Sequence, residues 1–86
     1  MYVIAVYDVE AKRTAKMLKL CRRYLHWIQN SVFEGEITEV KLKELIHHSK
    51  DIMKGQDSFI IFKNNQVRWM DKEVVGHLRA KTDQYL

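Results

Sequence analysis

The chain begins with an unbroken apolar run, residues 1–7, which ends at Asp8. A short apolar run rich in Val, Ile and Tyr is typical of a strand covered on both faces. Asp is depleted in strands and costly to bury, so a carboxylate that closes such a strand predicts a functional position. Lys12 and Arg13 follow closely, and a carboxylate with cations nearby suits a hard divalent metal ion and a phosphate.

Two segments with helical spacing follow the first strand. Residues 11–27 predict an amphipathic helix. Its apolar arc comprises Ala15, Leu18, Cys21, Leu25 and Ile28, widened by Met17, Leu20 and Tyr24. Thr38 is the predicted N-cap of a second helix, and Gly55 is its predicted C-cap.

Three further segments predict strands. Residues 29–36 form the first of them, with Val32 and Phe33 at its centre and Gly35 bending it or dividing it into two short strands. Residues 57–62 are apolar enough to predict another central strand. After a turn at Asn64 and Asn65, residues 66–75 predict a C-terminal strand extension.

This order of elements predicts an α+β, ferredoxin-like βαββαβ fold. Its two helices cover one face of an antiparallel sheet, because each has a single apolar face to bury. The 86 residues suffice for one domain, residues 1–86. A domain of this size buries only about two-thirds of its unfolded surface, so a homodimer would be more stable than a monomer. The apolar tail, Tyr85 and Leu86, is predicted to pack on a neighbouring subunit.

The basic residues fall on stripes. The chain has 15 Lys and Arg against 11 Asp and Glu, a formal net charge of +4. One stripe on the first helix comprises Lys12, Lys16, Lys19 and Arg23, flanked by Arg13 and Arg22. A second stripe, on the second helix, comprises Lys43, His47, Lys50 and Lys54. A solvated face is one interpretation, but the first stripe has no acidic member and the pattern occurs twice, which favours sequence-independent contacts with phosphates.

Other kinds of site find little support. His47 and His48 are adjacent and point about 100° apart on a helix, so a shared zinc ion is disfavoured. The only cysteine, Cys21, excludes a disulfide within one chain and predicts a cytoplasmic location. No glycine-rich phosphate loop and no apolar stretch of about 20 residues occurs.

Three segments together resemble one protein family. They are residues 1–16 (MYVIAVYDVEAKRTAK), residues 29–35 (QNSVFEG) and residues 57–62 (DSFIIF), with a further match at residues 74–76. In this order they resemble the small CRISPR-associated nuclease of the adaptation module, the second of the two core spacer-acquisition proteins. The resemblance covers nearly the whole chain.

The resemblance implies a ferredoxin-like homodimer that binds Mg²⁺ or another divalent cation through Asp8 of each protomer. Some members of the family cleave single-stranded RNA or duplex DNA, and others hold duplex DNA beside the integrase subunit of the adaptation complex. Lys12, Arg13 and Lys16 match the basic region of the family. Tyr7, Ser31 and Phe33 are predicted as supporting residues for activity or dimer contact. Trp27 stands where many relatives carry a basic residue.

The residues and the resemblance lead to one prediction and one alternative. The prediction is a metal-dependent endonuclease, with Asp8 as catalytic residue and metal ligand and the first-helix stripe as the nucleic-acid surface. Mg²⁺ prefers several oxygen ligands, so two Asp8 carboxylates facing across a two-fold axis make a better site than one; Glu10 has a lesser role. The alternative is a non-catalytic duplex-DNA scaffold. A small RNA-binding domain is disfavoured, since residues 59–62 lack the Lys/Arg-Gly start of its RNA-binding strand.

Overall fold

The computed structural model describes residues 1–65 and 73–77. Its elements in chain order are β1 (Tyr2–Asp8), α1 (Ala11–Arg22), β2 (His26–Gln29), β3 (Val32–Glu36), α2 (Glu39–Ile52) and β4 (Ser58–Asn64). The predicted βαββαβ order and its ferredoxin-like fold class are therefore confirmed.

The four strands form one antiparallel sheet in the order β2-β3-β1-β4. β1 lies between β3 and β4, as its apolar sequence predicted. The prediction that residues 57–62 form a central strand was wrong for the described sheet, where β4 lies at the edge. Ile60 and Phe62 of β4 are 52% and 57% exposed, so its apolar character does not come from burial on both faces.

The alternation of side chains in β1 separates the two faces of the sheet. Val3, Ala5 and Tyr7 are buried in the core, where they pack with apolar residues of both helices. Ile4 and Val6 are half-buried, and with Asp8 they lie on the other face, because successive side chains of a strand alternate. We call this second face, which the two helices leave uncovered, the open face.

The first helix is shorter than predicted. α1 ends at Arg22 instead of residue 27, and residues 26–29 form β2. Trp27 and Ile28 fit the helical spacing but also have high strand propensity, and pairing with β3 decides between the two. The buried face of α1 is centred on Met17, Leu20 and Cys21, whereas Ala15 is exposed.

The second strand segment is divided at Asn30 and Ser31, not at Gly35. Asn30 has φ 47°, a left-handed conformation that Asn tolerates better than most residues, and it makes the hairpin turn between β2 and β3. Ser31 therefore lies in a turn. Gly35 stays within β3, where it pairs with Val3.

The second helix begins as predicted and ends earlier. The Thr38 hydroxyl accepts a hydrogen bond from the Lys41 N–H at 3.1 Å, which confirms the N-cap. α2 ends at Ile52, so Gly55, with φ 58°, shapes the turn that leads to β4 instead of capping the helix. Ser49 is buried on the apolar face of α2. Its hydroxyl keeps a hydrogen-bond partner there, because it donates to the Ile46 carbonyl at 2.6 Å.

Part of the predicted C-terminal extension lies outside the described residues. This holds for residues 66–72 of the predicted strand and for the tail at Tyr85 and Leu86. Residues 73–75, at the end of that prediction, are exposed and form no strand. Among the helices of residues 1–65, none is long and apolar enough to cross a membrane.

Candidate functional site

Asp8 is the last residue of β1 and pairs with Ser58, the first residue of β4. The Asp8 side chain is exposed on the open face. Residues directly opposite in an antiparallel pair carry side chains on the same face, with Cβ atoms about 5 Å apart, so the Ser58 hydroxyl is a neighbour of the carboxylate. The end of the central strand thus presents two oxygen-bearing side chains to solvent.

The Asp8 carboxylate is not used to cap the helix that follows. Glu10 is the N-cap residue of α1, and no side chain within that helix start provides a capping hydrogen bond. No ion pair or hydrogen bond joins the Asp8 side chain to another residue of the described ranges 1–65 and 73–77. The carboxylate is therefore available to a ligand.

Asp57 binds the backbone just before α1 and was missed by the sequence prediction. Its Oδ1 accepts from the Glu10 N–H at 3.1 Å, and its Oδ2 accepts from the Lys54 N–H at 3.0 Å and from Arg13 Nε at 2.6 Å. The hydrogen bond from Arg13, joined by the two backbone N–H groups, lowers the pKa of Asp57 from 3.8 to about 2. A sequence signal existed, because Asp57 opens the matched segment at residues 57–62, but its partners are remote in sequence.

Lys12 and Arg13 have different environments. The Lys12 side chain is 74% exposed, and its Nζ lies 3.8 Å from Glu10 Oε2, a distance at which an exposed ion pair is worth little. The Arg13 side chain is only 11% exposed and forms an ion pair with Asp57. That hydrogen bond also raises the pKa of Arg13. The exposed Lys12 side chain can approach a phosphate, whereas the Arg13 guanidinium is already occupied by its ion pair with Asp57.

The basic stripe of α1 borders the groove between the two helices. Lys12, Lys16, Lys19 and Arg23 are all exposed. A groove of about 550 Å³ is lined by Lys16, Lys19, Leu20, Arg23, His48, Asp51 and Ile52. An adjoining groove of about 370 Å³ is lined by Lys12, Arg13, Lys16, Asp51, Ile52 and Lys54. The stripe therefore lies on the helix layer, whereas Asp8 faces the other side of the sheet.

The three predicted supporting residues make contacts near the end of β1. Tyr7 and Phe33 are buried under the helices, on the face of the sheet opposite Asp8. Their rings are stacked, with the two centroids 6.1 Å apart. Burial also raises the pKa of Tyr7. The Tyr7 N–H donates to the Ser31 carbonyl at 3.2 Å, which joins the hairpin turn to the end of β1. These contacts hold the strand end that carries Asp8.

Trp27 and Arg22 form a separate surface at the far edge of the sheet. The Arg22 guanidinium lies 5.4 Å from the centroid of the Trp27 ring, and the Trp27 indole N–H donates to the Asn30 carbonyl at 2.9 Å. Trp27 thus contacts Arg22, which flanks the basic stripe, and its hydrogen bond to Asn30 stabilises the hairpin turn.

A single chain offers few donors for a metal ion among its described residues. Within the described residues, no group of three or more His, Cys, Asp or Glu side chains could hold a metal ion. Asp8 provides a carboxylate and Ser58 a hydroxyl, which are oxygen donors of the kind that Mg²⁺ takes together with several waters. This donor set fits a site that is completed by a second copy of the chain and by solvent.

Comparison with known proteins identifies the family. The family profile described as "CRISPR associated protein Cas2" matches residues 1–72. The chain belongs to the Cas2 family. The resemblance noted in the sequence is therefore confirmed.

Individual Cas2 proteins are similar over most of their length. A Fusobacterium nucleatum protein named "CRISPR-associated endoribonuclease Cas2" is 48% identical, over 100% of this chain and 87% of that protein. One of the same name from Dictyoglomus turgidum is 41% identical over 100% of both chains. A crystal structure of a Cas2 protein matches with a TM-score of 0.81 and 43% identity, over 95% of this chain and 93% of the other. The structure of Streptococcus pyogenes Cas2 at pH 6.5 matches with a TM-score of 0.68 and 30% identity, over 76% of this chain and 87% of the other.

Proposed function

We propose that this Cas2 family member is a homodimeric, divalent-metal-dependent endonuclease that cleaves RNA or DNA phosphodiesters in a CRISPR system. The observation that carries the proposal is the exposed Asp8 carboxylate, which ends the central strand and makes no contact that would occupy it. The names of the Fusobacterium nucleatum and Dictyoglomus turgidum relatives favour RNA as one substrate.

The open face supports a dimer in which two Asp8 residues approach each other. Ile60 and Phe62 are half exposed there, and apolar side chains of this size favour burial against a partner. A two-fold axis through this face makes the interface self-complementary, so each residue near the axis meets its own copy. Two Asp8 carboxylates then contribute to one site.

The chain's own residues would bind and orient the substrate at this site. Asp8 would hold the metal, and the Ser58 hydroxyl beside it can donate a hydrogen bond to a phosphate oxygen. Lys12, which is exposed shortly after the strand end, adds positive charge for the phosphodiester. A bound divalent cation supplies an activated water and neutralises developing charge on the phosphate.

The basic stripe of α1 would bind the nucleic-acid backbone. Its four residues are exposed and follow one side of the helix, and backbone contacts of this kind carry affinity without reading sequence. Arg13 is left out of this surface, because Asp57 and Glu10 hold its guanidinium.

One observation favours the second candidate, a non-catalytic duplex-DNA scaffold that acts beside the integrase subunit of the adaptation complex. The stripe lies on the helix layer and Asp8 on the other side of the sheet, so DNA bound along the stripe need not reach Asp8. The role in adaptation, the integrase partner and a cytoplasmic location stay predictions.

A cleavage assay distinguishes the two candidates. Wild type and Asp8→Asn are incubated with single-stranded RNA and with duplex DNA, with Mg²⁺ and with EDTA. The proposal expects Mg²⁺-dependent cleavage by wild type alone. Duplex binding by both proteins with cleavage by neither establishes the scaffold instead.

A further inference from the structure

Asp57 lies at the junction of three chain segments near the end of β1. Its side chain is 4% exposed, and its two oxygens accept three hydrogen bonds. The donors belong to the β1–α1 connection at Glu10, to the first turn of α1 at Arg13 and to the turn after α2 at Lys54. One carboxylate thus holds together parts of the chain that the sheet alone does not join.

These contacts bracket Asp8 from two sides. The Glu10 N–H, which donates to Asp57, lies two residues after Asp8 on the connection that leaves β1. Ser58, which pairs with Asp8 across the sheet, directly follows Asp57. A displacement of Asp57 would therefore move both the residue that follows the site and the strand that lies beside it.

Arg13 completes the bracket. Its Nε donates to Asp57 at 2.6 Å, and its Nη2 lies 3.6 Å from Glu10 Oε2. A guanidinium is planar and presents its donors in a fixed fork, so it can hold two carboxylates in a defined relative position. Lys in its place would keep the charge and lose the fork.

We propose that Asp57 is a positioning residue, which with Arg13 fixes the end of β1 so that the Asp8 carboxylate and the Ser58 hydroxyl face one ligand. The inference rests on the proposed metal site at Asp8. It assigns to Asp57 and Arg13 a role in cation binding without contact with the cation. Partners that orient a metal ligand commonly affect metal affinity by about 10–100-fold.

Glu44 provides a matched control. Its Oε1 accepts from the Tyr24 hydroxyl at 2.8 Å and from Lys41 Nζ at 3.4 Å. It therefore joins the segment after α1 to α2, as Asp57 joins segments near the end of β1, and its contacts do not involve residues 8–13 or 54–58. Glu44→Gln removes a bridging carboxylate while leaving the bracket around Asp8 intact.

The first test measures hydrogen exchange in the full-length wild type, Asp57→Asn and Glu44→Gln. Asp57→Asn is expected to accelerate exchange about tenfold in peptides covering residues 8–13 and 54–59, because local contacts set local opening. Glu44→Gln should leave these peptides unchanged. A uniform increase along the chain of Asp57→Asn would show a purely global stabilising role and overturn the inference. If Asp57→Asn does not fold, Arg13→Lys replaces it, with the same local change expected at smaller amplitude.

The second test follows Mn²⁺ binding by electron paramagnetic resonance. Asp57→Asn should weaken binding about tenfold and Arg13→Lys by less, while Glu44→Gln should bind as wild type does. Equal binding by wild type, Asp57→Asn and Arg13→Lys overturns the inference. A wild type that binds no Mn²⁺, or binds it as Asp8→Asn does, contradicts the proposed metal site itself and with it the effect on cations; the exchange experiment then still decides whether Asp57 orders the Asp8 segment.

Discussion

The two faces of the sheet are built differently at the point where β1 ends. On the helix side, Asp57 is buried and its two oxygens accept three hydrogen bonds, one of them from Arg13. On the open face, Asp8 is exposed beside a surface that includes Ile60 and Phe62. Two carboxylates at one end of one sheet thus have opposite tasks: the satisfied one maintains the fold, and the exposed one is available for chemistry.

Asp8→Asn should produce the largest effect and tests the chemical half of this contrast. Asn is nearly isosteric, so the fold should persist, while the charge that attracts the cation is lost. Charge stabilisation by a metal is worth several kcal/mol, so Mg²⁺-dependent cleavage should fall about 10³-fold. The rate of RNA cleavage measures this, with thermal unfolding as the control for the fold. Undiminished cleavage by a contaminant-free preparation would falsify the catalytic role of Asp8.

Ile60→Lys should break the proposed dimer. A lysine at this half-exposed position would place unpaired charges against each other across a two-fold interface, which should raise the dimer dissociation constant about 100-fold. Val40→Lys is the control, since Val40 is 71% exposed on α2. Light scattering over a range of concentrations measures both variants. A dimer unaffected by Ile60→Lys would show that the open face is not the interface.

The contrast extends to nucleic-acid binding, which should follow the stripe on α1. Replacing both Lys16 and Lys19 with Gln should reduce the slope of log affinity against log salt by about 1.8, since each phosphate contact contributes about 0.9. Lys43 and Lys50 on α2 form the matched control pair. Titration of labelled duplex DNA at several salt concentrations measures the slopes. A larger change in the control pair would assign the interface to the second stripe.

Lowering the pH should test the structural role of Asp57, and we expect this to be the smallest of the predicted effects. The pKa of Asp57 is about 2 in the folded chain against an ordinary 3.8. A lowered pKa means that the ionised group stabilises the fold above about pH 4, and that this contribution is lost as the pH falls toward 2. The melting temperature of wild type should therefore fall further than that of Asp57→Asn as the pH is lowered from about 4 to 2. Parallel melting curves for the two proteins between pH 5 and pH 2 would contradict the assignment.

Local features of the sequence were sufficient for part of this structure. The apolar run that ends at Asp8 predicted the central strand, and Thr38 predicted the start of α2, since a cap depends on neighbours within one turn. The end of α1 was missed because Trp27 and Ile28 satisfy both helical and strand patterns. Only the pairing of β2 with β3 decides between them.

The remaining features depend on contacts between distant residues. Arg13 and Asp57 are 44 positions apart, so the sequence showed a basic residue near a candidate site and not an occupied one. The edge position of β4 in the sheet of residues 1–65 likewise follows from strand order, which an apolar run does not reveal. The exposed Asp8 was recognisable because its task is visible in its sequence neighbours, whereas the task of Asp57 is defined by partners brought close only in the folded chain.

The sheet order also has a consequence for how the molecule is made. β1 is synthesised first, yet it pairs with β4, the last strand of the described residues, across more than half of the chain. Such distant pairing forms late, because a long loop must close first. Asp57 immediately precedes β4, so its hydrogen bonds to the start of α1 are expected to form together with the docking of this strand. A nascent chain would therefore carry Asp8 without its contacts to Asp57 and Ser58 until β4, which ends at Asn64, has been synthesised and has paired with β1.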